Sequence, residues 1–364
     1  MIIYRYLLKE ITVTWLAVTL VLFLIYISNR FIRYLADAAA GTLPTDVVLY
    51  LLGLKSISSL PALLPLALYL AVLLSLGRMY KDNEMTALSA GGIGIGGVLR
   101  VISLYSVLVA ILMFFVSFYA SPWAQHQALM IKEQAKSSSD FVGLAAGRFK
   151  ESTSGGLVFY TEKLSDGGEF MENVFAHQER GELTNLLSAA KAVQQVAEES
   201  GDRFIVFLDG YRYEGTPGMP DSKIISYQEH GIRIEKKEPE AFDVRLAARP
   251  TSELLGSQQL DEIAELQWRY ALPVSTLFLT LLAVMLSRTD PRQGRFGKLF
   301  IAILVYVVYN NLIGVARNWL EQGVMPSALG LWWVHGLLMT LFIILWTQQM
   351  GIAWVRDRVM RRAV

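Results

Sequence analysis

Long runs of apolar residues dominate both ends of the chain, and a polar stretch with strand-like punctuation separates them. The apolar blocks cover Ile11–Ile27, Val47–Leu76, Val98–Ala120, Tyr270–Leu286, Leu299–Val315 and Ala328–Trp346. Crossing about 30 Å of hydrocarbon takes roughly 20 mostly apolar residues in a helix, so the pattern predicts six membrane spans. The second block is long and holds Lys55, Pro61 and Pro65. It reads as one tilted or kinked span, because a proline removes a rung of the helical hydrogen-bond ladder. A cleaved signal peptide competes for the first block, with Ala36-Asp37-Ala38 as the cleavage motif. The block is longer than a usual signal core, and Arg30 and Arg33 intervene before the alanines, which favours a span.

Between the third and fourth blocks the periodicity changes. Ala124–Ser137 reads as a helix continuing outward from the third span, and five runs with strand character follow: Leu157–Glu162, Val174–His177, Leu183–Ala190, Phe204–Tyr213 and Lys223–Ile234. Gly, Asp, Ser and Pro punctuate them, a pattern that predicts a compact antiparallel sandwich. The expected fold class is therefore an α-helical membrane protein with six transmembrane helices and an inserted all-β domain. The expected limits are residues 1–122 for spans one to three, 123–268 for the insert, and 269–364 for spans four to six with a basic tail.

Charge gives the orientation. The chain carries a net charge of +1, yet residues 123–268 hold 15 Lys and Arg against 24 Asp and Glu. An acidic insert in a basic membrane scaffold excludes a general nucleic-acid-binding protein. One side of the spans collects Arg5, Lys9, Arg78, Lys81, Arg100, Arg288, Arg292, Arg295, Lys298, Arg356, Arg358, Arg361 and Arg362. The short flanks on the other side hold only Arg30, Arg33 and Arg317. Positive residues concentrate on the cytoplasmic side, so both termini are expected there, with the insert outside.

Chemistry is sparse. With no cysteine, the chain can build no disulfide and no thiolate site. His126, His177, His230 and His335 lack metal-ligand spacing, no G-x-S-x-G elbow occurs, and the spans lack paired carboxylates that could relay protons. Gly92, Gly94 and Gly97 match G-x-G-x-x-G but join a short helix to a span, where a dinucleotide fingerprint would need a preceding strand. The chain has no phosphate-binding G-x-x-x-x-G-K-[ST] loop, so an ATP-driven process would need another subunit.

Two constellations remain. In the loop between spans two and three, Asp82 or Asn83 can cap a short helix that Gly91 or Gly92 ends. Charged at Glu84 and apolar at Met85 and Leu88, that helix could dock into another subunit or be an ordinary surface helix. Arg30 and Arg33 share one helical face, and with Arg317 they sit where positive charge is normally scarce. Guanidinium groups bind phosphate in a bidentate fork, which suits an anionic lipid headgroup; snorkelling to the interface is the competing role. Asn310 and Asn311 lie mid-span, where polar side chains bond across helices or line a cavity, and packing is the favoured role.

The opening Met1-Ile2-Ile3-Tyr4-Arg5-Tyr6-Leu7-Leu8-Lys9-Glu10, the order of three spans, β-rich domain and three spans, and above all Arg78–Gly92 around Glu84-Met85-Thr86 resemble the lipopolysaccharide-export permease family, LptF/LptG, nearer its LptF branch. The resemblance implies a bacterial inner-membrane permease without ATPase activity or cofactor of its own. It implies a periplasmic β-jellyroll and a central cavity shared with the paralogous permease LptG. Two copies of the ATPase LptB would bind the helix at 82–91 through Asp82, Glu84, Met85 and Leu88, and a single-span LptC would lie beside the spans. Arg30, Arg33 and Arg317 would contact the phosphates of lipopolysaccharide. The glycine-rich run Gly91–Gly97 departs from the family pattern and leaves open where the helix ends. A permease for lipoproteins or peptides, or a membrane sensor with an outer ligand-binding domain, are the alternatives.

Overall fold

The structure, a computed structural model, describes residues 2–39, 43–142, 147–151, 157–165, 170–180, 183–196, 203–216, 223–234, 246–288 and 295–350. Of the cations expected above on the cytoplasmic side, Arg292, Arg356, Arg358, Arg361 and Arg362 lie outside these residues, as does the basic tail. The chain divides into two compact units.

The first unit is a helical bundle built from residues 1–29, 53–128 and 244–364. Its helices are α1 (Ile2–Ala39), α2 (Val48–Lys81), α3 (Glu84–Ala90), α4 (Ile95–Phe115), α5 (Ser121–Val142), α6 (Thr251–Leu254), α7 (Leu260–Leu286), α8 (Arg295–Glu321) and α9 (Trp332–Met350), of which α1, α2 and α5 extend beyond it. The Ala36-Asp37-Ala38 motif is helical, and α2 runs through both Pro61 and Pro65. Among the described residues, five helical stretches are long and apolar enough to cross a membrane: Ile2–Ala39, Thr45–Lys81, Ile95–Glu133, Leu260–Leu286 and Leu299–Glu321. The sixth expected span coincides with α9, whose run is diluted by Trp332, Trp333 and His335 at one end and Gln348 and Gln349 at the other.

Helix α7 is the hub of the bundle, contacting α4, α8 and α9. One apolar core joins Leu68 and Val72 of α2, Ile102 of α4, Leu282 of α7 and Leu338 of α9. Leu7 and Ile11 bring the start of α1 into it. Burial differs sharply among the spans: 61% of the most apolar window is covered in α7, 22% in α8 and 6% in α1. Leu16, Leu20, Val21, Leu24 and Ile25 of α1 therefore project out of the bundle, as do Phe300, Ile301, Leu304 and Val308 of α8. Asn310 and Asn311 lie on α8 with them, both exposed, and the Asn311 amide donates to Val307 O of its own helix at 2.8 Å. Cross-helix packing within this chain is therefore not their role.

Between α4 and α5 the helix widens into one π-turn, Val116–Ala120. Such a turn frees backbone groups. Here Thr251 Oγ1 donates to Phe118 O at 2.7 Å, and Ser117 Oγ donates to Arg269 O at 3.1 Å.

The second unit comprises residues 30–52 and 129–243. Its sheet has six antiparallel strands, β1 (Arg148–Glu151), β2 (Leu157–Leu164), β3 (Phe170–Arg180), β4 (Leu183–Val196), β5 (Arg203–Gly215) and β6 (Lys223–Ile234), each paired with the next in sequence. The five expected strands are all present, and β1 is additional. Among the described residues they form one meander, without the second layer expected of a sandwich.

Pairing in this sheet skips one residue per strand along a single row. Thr161 pairs with Val174 and Lys163 with Glu172, passing over Glu162 and Asn173; Ala190, Asp209 and Gln228 are passed over on the next three strands. Asn173 and Asp209 take left-handed backbone angles, with φ of 49° and 51°. Strand side chains alternate between faces, so one extra residue reverses the parity. The buried positions do reverse: Met171 is followed by Val174 and Ala176, and Ile205 and Phe207 by Gly210. The passed-over residues face one another with the register unchanged, so one line of unpaired positions crosses the sheet and the core face stays apolar on both sides of it. Gly210 sits against the Ser188 carbonyl, and a methyl group there would lie 2.6 Å from the Tyr227 hydroxyl.

Candidate functional site

The short helix α3 sits at the end of α2 that carries Arg78 and Lys81. Seven residues cannot hold a helix in water by themselves, so its neighbours must fix it. Entry is through Asn83 in the left-handed conformation, φ 59°, without the side-chain cap expected of Asp82 or Asn83. The exit is defined by Gly92 at φ +86°: Ile93 N donates to Leu88 O at 2.9 Å and Gly92 N to Ser89 O at 3.1 Å. This is a Schellman ending, with the apolar Leu88 and Ile93 as its flanking pair. It closes the helix at Gly91 despite the glycines that follow.

Met85 is 4% exposed and belongs to the core of the bundle, and Leu88 packs against that core. Both apolar side chains thus anchor α3 to its own bundle. The surface left open is polar and small: Asp82, Asn83, Thr86, Ala87 and Ala90 are exposed, and Glu84 half so. Glu84 is not idle. Tyr6 of α1 donates to its Oε2 at 2.9 Å, and Arg78 approaches its other oxygen at 3.8 Å while reaching Glu10 at 3.2 Å. Sequence reading found Glu84 from its motif but had no means to find Tyr6, 78 residues away.

The three outer arginines have different surroundings. Arg33 is exposed on α1. Arg30 lies over the ring of Tyr34 at 5.6 Å, as does Lys132 at 5.4 Å, and its buried Nε lacks a hydrogen-bond partner among the described residues. Arg317 is engaged within the bundle. It donates from Nη2 to Glu265 Oε2 at 2.9 Å and from Nε to Glu321 Oε1 at 2.7 Å, and its guanidinium lies 5.6 Å from the Trp268 ring.

Behind Arg317 is a network that the sequence reading did not single out. Arg269 is 2% exposed. Its Nε donates to Glu265 Oε1 at 3.1 Å, Nη1 to Thr251 Oγ1 at 2.6 Å, and Nη2 to the carbonyls of Leu246 and Arg249, both at 3.0 Å. Arg249 pairs in turn with Glu262 at 2.7 Å. The one signal available in the sequence was the four-residue spacing of Glu265 and Arg269 at the head of a span. Among the described residues no cluster of three or more His, Asp or Glu could hold a metal ion.

A family model described as lipopolysaccharide export system permease LptF/LptG matches residues 5–348. The chain is 28% identical over 355 residues to the lipopolysaccharide export system permease protein LptF of Escherichia coli (strain K12), covering 95% of this chain and 94% of that protein. The proteins of the same name from Escherichia coli O157:H7 and Shigella flexneri match to the same extent.

Proposed function

The chain belongs to the LptF/LptG family of lipopolysaccharide export system permeases, and from that premise we propose that it is the LptF-type half of an ATP-driven exporter in the bacterial inner membrane. Its paralogous partner is LptG, two copies of LptB supply ATP hydrolysis, and LptC takes the lipid onward. The domain limits are those of residues 1–122, 123–268 and 269–364, with α9 as the sixth span, both termini cytoplasmic and the insert periplasmic. The antiparallel meander is the part of the insert that receives the lipid.

The observation that carries this reading is the sparse coverage of α1 and α8. Both are apolar enough to span, yet 6% and 22% of their apolar windows are covered. Exposed mid-span amides at Asn310 and Asn311 do not suit a purely hydrocarbon surface, and they suit a cavity shared with a second subunit. Lipopolysaccharide enters between spans one and five of the two permeases. Its acyl chains fill the cavity, and its phosphates meet Arg30, Arg33 and Arg317 at the outer rim. Bidentate guanidinium–phosphate contacts give that rim its selectivity for a phosphorylated headgroup.

On the cytoplasmic side, Met85 and Leu88 fix α3 to the bundle, and Asp82 and Glu84 form the edge that meets the ATPase. Closure of the ATPase dimer pushes on α3, and the anchored Met85 passes the motion to α2 and α4. Such coupling requires a contact that differs between states. Glu84 has that capacity, because its bonds to Tyr6 and Arg78 are partly exposed and can be exchanged for a basic residue of the ATPase.

Affinity purification in mild detergent tests the assignment: a second permease, an ATPase and a phosphorylated glycolipid should co-elute. In that complex Glu84→Ala should either lose the ATPase or leave hydrolysis running without lipid movement. Normal transport by Glu84→Ala would remove its role, and a lone chain eluting without an ATPase would remove the exporter reading.

A further inference from the structure

We propose that Glu265 and Glu321 form an internal counter-anion for Arg317, which holds this arginine until the phosphate of the incoming lipid replaces them and which drives release when the phosphate leaves. The inference rests on the reading of Arg317 as a phosphate contact and assigns the regulation of that contact.

The geometry separates a fixed partner from a releasable one. Glu265 is 3% exposed and its two oxygens serve two guanidiniums, Oε1 accepting from Arg269 and Oε2 from Arg317. Arg269 has four hydrogen bonds to Glu265, Thr251 and two carbonyls, and is fully enclosed. The Arg317 side chain is 28% exposed, and among the described residues its acceptors are the two carboxylates. If Arg317 swings away, Glu265 keeps Arg269, so no buried carboxylate is left unpaired. Stranding a buried charge is the usual obstacle to such an exchange, and here it is absent.

Charge balance gives the exchange its consequence. Arg269 and Arg317 are matched by Glu265 and Glu321, so the resting cluster is neutral. A phosphate competes with two carboxylates at 2.9 Å and 2.7 Å for the same fork, and binding is weakened accordingly. An export site needs that weakness, because a bare arginine would retain the lipid. Glu265 and Glu321 are therefore positioning residues that act on the lipid through Arg317.

The test uses the purified permease–ATPase complex in detergent, with two probes: lipid A carrying its phosphates and the same lipid A dephosphorylated. Glu321→Gln should tighten binding of the phosphorylated probe roughly two- to fivefold, the range of one partly exposed charge. Glu265→Gln should act in the same direction. Neither should change affinity for the dephosphorylated probe, and both gains should vanish in an Arg317→Gln background. Lipid release driven by ATP should slow in Glu321→Gln. Because Glu265→Gln also touches the buried Arg269, the half-exposed Glu321→Gln keeps the test decisive should the Glu265 variant not fold. Unchanged or weaker binding of phosphorylated lipid A by Glu321→Gln, with Arg317→Gln still weakening it, overturns the counter-anion while the phosphate contact stands. If Arg317→Gln itself binds both probes like the parent, the phosphate contact fails and the counter-anion with it.

Discussion

Arg269 carries a guanidinium with 2% of its surface exposed, inside a helix otherwise apolar enough to span a membrane. It is tolerated because four hydrogen bonds, one of them to a carboxylate, replace the water it loses. Removing Arg269 takes all four away inside a buried site, each lost buried partner costing about 1–3 kcal/mol, even though Glu265 keeps Arg317. Arg269→Ala should therefore lower the thermal midpoint of the detergent-solubilised protein far more than Arg249→Ala, whose pair with Glu262 is partly solvated. Equal midpoints for the two variants would show that Arg269 is not the anchor. The sequence displayed the Glu265 and Arg269 spacing, but Thr251 and the Leu246 carbonyl arrive from a separate segment. For Arg317 location and charge were legible in the sequence, and only tertiary contact revealed two carboxylates on it.

At the scale of elements, left-handed residues decide where structures bend. Asp209 and Asn173 sit in the sheet's line of unpaired residues, and Asn83 opens the helix at Glu84. For a residue with a β-branched side chain that conformation costs about 1–2 kcal/mol, whereas glycine enters it freely. Asp209→Val should thus destabilise the sheet and Asp209→Gly should not, as read from denaturant midpoints of the full chain followed by fluorescence of an environment-sensitive label on β5. Equal midpoints would remove backbone strain as the cause. The same line weakens the apolar alternation of β5. Both faces of Phe204–Leu208 are at least half covered, and the parity reverses soon afterwards at Asp209. A two-residue period fitted across such a reversal loses its signal. The strand positions survived because the turn residues between them mark the limits independently of periodicity.

For the whole molecule the governing quantity is the asymmetry of positive charge about the spans. It predicts that the helix at 84–90 and the sheet lie on opposite sides of the membrane. The chain has no cysteine, so single reporters can be introduced on an unreactive background. A cysteine at the exposed Glu229 should react with a membrane-impermeant maleimide in intact spheroplasts, and one at the exposed Thr86 only after permeabilisation. Labelling of Thr86→Cys in sealed cells would reverse the orientation. The low burial of α1 and α8 belongs to the same scale, and under the proposed assembly it is the inner surface that such a chain leaves to a second subunit.

The sequence alone determined five of the six expected spans, the strand-rich insert, the absence of a phosphate-binding loop and the family. Those features depend on composition within short windows, which a helix in lipid or a strand between turns obeys locally. Tertiary structure decided which way α3 faces, which partners hold Glu84 and Arg317, and that the sheet is a single meander crossed by a line of unpaired residues. Each of these rests on groups brought together from distant parts of the chain, and proximity across such separations leaves no periodic trace in a single sequence.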